Sequence, residues 1–126
     1  MSSKSGLVFL ATGDRTCAQK CRWGVSQVLP EYQVVQLGRA ANLTQKAAQN
    51  PEAILILDTG FRPAYPPNLI TQDLRRVGYG GPVIILWSRE MPQVREALQQ
   101  DQRVAFVIKG APGTVALQQA LRQLTA

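Results

Sequence analysis

The chain has 126 residues, 45% of them apolar, with 14 basic and 8 acidic side chains and a net charge of +6. That length suits one domain with a real core. Histidine is absent, which removes the commonest general base and the commonest metal ligand, and no apolar run nears the roughly 20 residues of a membrane helix. Met1 to Ser5 is too polar for a signal peptide and is expected to be flexible, so the chain reads as cytoplasmic. Leu7 to Ala11 is an apolar run and the first predicted strand. Thr12-Gly13-Asp14 is a turn in which Asp14 or Thr12 can cap a helix over Arg15 to Leu29, which Pro30 ends. Cys17 and Cys21 share one face of that helix. Their spacing is poor for a disulfide, and two thiols without histidine build no standard zinc site, so they are read as small core residues.

Gln33 to Leu37 is the second strand, followed by a short helix over Ala41 to Gln49 that Asn50-Pro51 closes. The third strand, Ala53 to Asp58, is apolar until its final residue. Between Thr59 and Pro67 three prolines and a glycine forbid helix or a central strand. Asn68 is placed to cap a third helix over Leu69 to Val77. Gly78-Tyr79-Gly80-Gly81 breaks that helix, and Pro82 opens the fourth strand, which ends at Ser88. A fourth helix spans Met91 to Gln100, with Pro92 tolerated in its first turn. The fifth strand, Val104 to Lys109, and a last helix, Thr114 to Leu124, complete five strand–helix repeats. Apolar strands alternating with helices imply a parallel sheet covered on both faces, an α/β doubly wound sandwich forming a single domain over residues 1–126.

Three of these strands end in one functional-type side chain each: Asp58, Ser88 and Lys109. In a parallel sheet those ends gather at the carboxyl edge, where such folds place their sites. Each loop at that edge also carries a cation: Arg15, Arg39, Arg62, Arg89 and Lys109. A ring of like charge favours an anion and disfavours a divalent cation.

Asp58, Ser88 and Lys109 lie 30 and then 21 residues apart, and Phe106 stands three before the lysine. In ordering and spacing the chain from Gly6 to about Leu124 resembles the receiver domains of bacterial two-component response regulators, which have a five-stranded flavodoxin-like fold. The resemblance implies that Asp58 stands where the phospho-acceptor stands, Ser88 and Phe106 where the switch pair stands, and Lys109 where the lysine that pairs with the acceptor stands. It also implies a partner face built from the fourth helix, fifth strand and fifth helix, used by a histidine kinase, an output protein or a second copy of the chain.

The chain departs from that family in four places. The acidic pair that holds magnesium after the first strand is replaced by Ala11 and Thr12. Arg89, rather than a small residue, follows the hydroxyl. Gly110 follows the lysine where proline is usual. The loop after Asp58 is rebuilt around Phe61, Pro63, Pro66 and Pro67. Without the acid pair magnesium loses its main protein charge, so neither a cofactor nor a metal is expected. The resulting expectation is an atypical receiver, or pseudo-receiver, that signals by protein contact. In it Asp58 and Lys109 form a structural ion pair, and Arg89 reaches over Ser88 to fill the phosphoryl pocket, with Arg15 and Arg62 as further anion or pocket-filling candidates. A phospho-accepting receiver using Asp58 is the first alternative. A small-anion or nucleotide module at the carboxyl edge is the second, supported only by the cations, since Gly78 to Gly81 precedes a strand rather than a helix. Nucleic acid ranks last because aromatic platforms are few, and the absence of a base–nucleophile pattern argues against an enzyme.

Overall fold

A computed structural model describes residues 6–37, 40–59, 66–109 and 113–125. Its elements in chain order are β1 (Leu7–Ala11), α1 (Arg15–Val28), β2 (Gln33–Leu37), α2 (Ala40–Gln49), β3 (Ile54–Asp58), α3 (Pro67–Arg76), β4 (Val83–Trp87), α4 (Pro92–Ala97), β5 (Val104–Ile108) and α5 (Gly113–Thr125). The strands form one sheet in the order β2-β1-β3-β4-β5, and each neighbouring pair is parallel. This is the doubly wound parallel sheet that the alternating pattern predicts, in the flavodoxin-like arrangement that the resemblance implies. Among the described residues no helix is long and apolar enough to cross a membrane.

Strand alternation splits the core in two. Phe9, Leu55, Leu57, Ile85 and Trp87 face α2, α3 and α4, while Val8, Leu10, Ile56, Ile84 and Leu86 face α1 and α5. β3 and β4 are buried along their whole length because helices cover both faces. The two cysteines are free thiols in the α1–α5 layer, as expected of small core residues.

Two helix boundaries differ from expectation by more than one residue. α3 starts at Pro67 behind Pro66, with no side-chain cap, so Asn68 lies inside the helix rather than before it. Proline needs no capping partner, since its missing N–H is one that the first turn would leave unpaired. α4 is only six residues long and ends at Ala97 rather than Gln100. The chain leaves the helix there because Leu98 is buried and Asp101 is drawn to Arg75.

Arg75 ties this corner together. Its Nε and Nη2 donate to the two Asp101 carboxylate oxygens at 2.8 and 3.1 Å, and Nη1 donates to the carbonyls of Tyr79 and Gly81 at 3.0 and 2.7 Å. Gly78, at φ 95°, turns the chain out of α3 in the left-handed region that suits glycine. At Gly81 a Cβ would lie 2.6 Å from the Ala53 carbonyl and 2.8 Å from the Tyr79 ring. Burial pushes the Asp101 carboxyl up, but the bonds and charges of Arg75 and Arg103 outweigh it and hold its pKa below the usual value. A depressed carboxyl stabilises the fold above the ordinary aspartate pKa, and that contribution is lost as pH falls through the lower folded value. Arg75→Ala should therefore cost roughly 1.5–3 kcal/mol in urea denaturation near neutral pH. Arg75→Lys should rescue little, because an ammonium cannot reproduce the planar fork. The wild-type and Arg75→Ala stability curves should converge in acid; parallel curves would remove Asp101 from this account.

Candidate functional site

β1, β3 and β5 deliver Thr12, Asp58 and Lys109 to one side of the carboxyl edge. Strand alternation places them on the α1–α5 side, with Val8, Leu10, Ile54, Ile56 and Val107 beneath. Asp58 is 2% exposed. Its Oδ1 accepts a hydrogen bond from Lys109 Nζ at 2.9 Å, and its Oδ2 accepts one from Thr12 Oγ1 at 2.5 Å. The expected Asp58–Lys109 ion pair is present.

Thr12 is buried and fixed from three directions. Its hydroxyl donates to Asp58 and accepts from the Asp14 amide at 3.1 Å, and its carbonyl accepts from Gln36 Nε2 at 2.8 Å. Asp14 caps α1, its Oδ1 accepting from the amides of Thr16 and Cys17 at 2.9 and 3.2 Å. Its other oxygen is 4.0 Å from Lys109 Nζ, and the side chain is half exposed. Burial pushes the Lys109 ammonium down, but the hydrogen bond and charge of Asp58, with smaller help from Cys17 and Asp14, outweigh it and hold its pKa above the usual value.

Arg89 does not fill the space above Asp58. It is exposed, and among the described residues no ion pair joins it to the carboxylate. Thr12 and Lys109 already occupy one oxygen each, which leaves a guanidinium little to gain from desolvation. Ser88, one residue past β4, is exposed, as is Arg15. Arg39 and Arg62 lie outside the described residues, as do Phe61, Pro63 and Gly110, so of the predicted ring of cations only Lys109 is seen to turn inward. Ala11 is fully buried in the core, on the face opposite Thr12.

Phe106 is half buried on the other side of β5. Its ring stacks on Trp87 with centroids 4.5 Å apart and planes 17° apart. The Arg95 guanidinium lies 5.3 Å from the Trp87 centroid and 4.9 Å from that of Phe106, and it also binds Glu90 through Nε and Nη2. The cation thus covers a two-ring stack. Phe106→Ala should cost roughly 2–3 kcal/mol in chemical denaturation, below the about 3–5 kcal/mol of a fully buried phenylalanine because the ring is partly exposed. A stability equal to wild type would show that the stack contributes nothing.

Sequence reasoning missed two of these features. Thr12 stands there as a possible helix cap and in place of a missing acid, not as a donor to Asp58, although a hydroxyl beside a buried aspartate is a ready donor. Arg95 was passed over because its ring partners come from β4 and β5, far off in sequence.

No known family model matches the chain, and no curated protein matches it. Among solved structures it is similar to the signal receiver domain of a modulated diguanylate cyclase from Desulfovibrio desulfuricans G20, with a TM-score of 0.74 at 15% identity over 96% of this chain and 94% of that one. It is similar to the phosphorylated cyanobacterial phytochrome response regulator RcpA, with a TM-score of 0.73 at 9% identity over 98% of this chain and 96% of that one. It is also similar to the lysine decarboxylase LdcF of Francisella novicida, with a TM-score of 0.68 at 12% identity over 96% of this chain but 17% of that one. The chain therefore has the fold of receiver domains, a fold that also forms part of an enzyme.

Proposed function

We propose that the chain is a pseudo-receiver: a signalling module that works through protein contact, without magnesium-dependent phosphorylation of Asp58 and without catalysis of its own. The observation that carries this reading is the Thr12–Asp58–Lys109 arrangement. A buried carboxylate has its two oxygens held at 2.5 and 2.9 Å by a hydroxyl and an ammonium.

Magnesium does not fit these residues. It requires near-octahedral oxygen ligands and usually one or two carboxylates. Here the Thr12 hydroxyl and the Lys109 ammonium each hold one Asp58 oxygen, and the other nearby acid, Asp14, is engaged as a helix cap. Among the described residues no three His, Cys, Asp or Glu side chains gather as a metal site. The proposed contact surface is that of α4, β5 and α5, where Ile108 is half exposed beside the Arg95-capped ring stack. Its partner is a signalling protein or a second copy of the chain, in the cytoplasm. Neither nucleic acid nor a membrane is part of this reading.

A second reading, phosphorylation of Asp58, draws support from the Lys109 pair and the exposed Ser88 hydroxyl. One experiment separates the two. Trp87 is buried next to Ser88, so its fluorescence reports on the site once the exposed Trp23 is replaced by phenylalanine. Titration with magnesium should leave that signal flat, and acetyl phosphate with magnesium should add no phosphoryl mass to the protein. Saturation at low-millimolar metal, or ready phosphorylation, would establish the second reading instead.

A further inference from the structure

A cleft of about 270 Å³ opens beside the first turns of α1, next to but distinct from the Asp58 hydrogen bonds. Leu86, Val107 and Leu117 give it an apolar floor. Its polar lining holds two thiols, Cys17 and Cys21, and two ammonium groups, Lys20 and Lys109. Asp14 also reaches the cleft, its Oδ1 capping the α1 amides and its Oδ2 lying 4.0 Å from Lys109 Nζ. Cys17 lies close enough to Thr12, Asp58 and Lys109 to feel their charge and hydrogen bonding, but the two Asp58 hydrogen bonds come from Thr12 and Lys109.

We propose that Cys17 is a site of reversible thiol modification, and that the cleft admits small disulfides carrying a carboxylate as the reagent. This stands whether or not Asp58 takes a phosphoryl group. Two thiols beside the exposed Lys20 on one apolar pocket form a nucleophile, a second thiol in contact with it, and a cation to face an anion, Lys109 being already paired with Asp58. Position selects Cys17 over Cys21: it lies in the first turn of α1, where the helix end favours a thiolate, and it is the less buried, at 8% against 3% exposure. Contact with the Cys21 thiol draws the Cys17 pKa down despite burial and the Asp58 charge, with Lys109 and Thr12 helping less, whereas contact with Cys17 and burial push Cys21 up.

In the reaction the Cys17 thiolate attacks one sulfur of the disulfide. A new S–S bond forms as the old one breaks, and the departing half leaves as a thiolate that takes up the proton Cys17 lost. Cys17 is oxidised and the departing half is reduced. Cys21 cannot readily release the adduct, because a disulfide across one helical turn has poor geometry. The mixed disulfide therefore persists until an external thiol removes it, and its carboxylate faces Lys20.

The test uses the full chain and two disulfides of similar size and opposite charge, dithiodipropionate and cystamine. Intact mass and peptide mapping follow the adduct, and each rate is divided by that of the same reagent on the urea-unfolded chain, which cancels leaving-group differences. We expect one adduct, on Cys17, with a normalised preference of roughly 10-fold for the anionic reagent at low salt. Salt and Lys20→Glu should each diminish that preference. Protection of Cys17 from both reagents in the folded protein would overturn the proposal. So would an adduct on Cys21, or a preference that is absent or favours cystamine.

Discussion

Replacing Lys109 with methionine is expected to destabilise the protein by roughly 3–5 kcal/mol, the range for removing one partner of a buried ion pair. Methionine keeps most of the aliphatic volume, so the loss reports on charge rather than on a cavity. Asp58 would keep the Thr12 hydrogen bond but lose the ammonium that balances its charge. Lys109 is a quarter exposed, which places the effect toward the lower end. The pH dependence follows from its raised pKa. A base whose folded pKa exceeds its unfolded value contributes fully below the unfolded pKa, about 10.4 for lysine, and that contribution disappears as pH rises through the folded value. The wild type should therefore approach the Lys109→Met stability only in strong alkali. Urea denaturation across neutral and alkaline pH measures this, and a variant as stable as wild type at neutral pH would remove the ion pair from the account of the fold.

Thr12→Asp is expected to have an effect of similar size, with a distinctive rescue. It replaces a donor 2.5 Å from Asp58 Oδ2 with a second carboxylate. Two like charges about 4 Å apart repel by about 4 kcal/mol at an effective dielectric of 20. The facing pair should hold a proton that the unfolded chain does not, so the loss should shrink as pH falls. Facing carboxylates are also what a divalent cation requires. Magnesium should thus raise the melting temperature of Thr12→Asp while leaving that of the wild type unchanged. An equal response from both would mean that the natural site already binds metal, and a variant with no loss of stability would mean that Thr12 is not the donor on which the site depends.

The carboxyl edge was legible because strands of period 2 leave no choice about side. Once Thr12, Asp58 and Lys109 are assigned to strand ends, alternation sends them to the same layer, and the buried runs of β3 and β4 mark the sheet centre. What could not be read was competition among side chains. The sequence assigns Lys109 to Asp58 but also offers Arg89, Arg15 and Arg62 for the space above it, and charge does not choose among them. Nor does the pattern show that Thr12, held by Gln36 and the Asp14 amide, donates to the same carboxylate. The early end of α4 was equally illegible, since it depends on an Arg75–Asp101 contact between segments 26 residues apart. Local propensity over Met91 to Gln100 gives no sign of it.

The position of β5 has a consequence for how the chain assembles. β5 is an edge strand, joined to the sheet only through β4, and Lys109 follows directly from it. Asp58, by contrast, belongs to the central β3, which can pair with β1 and β4 before β5 arrives. Until the fifth strand docks, the aspartate lacks the Lys109 hydrogen bond. Arrival of the C-terminal strand is thereby rewarded electrostatically at the middle of the sheet, which disfavours a stable four-stranded intermediate with its β4 edge open to other chains. The residue that closes the site thus also helps to make the last step of folding cooperative with those before it.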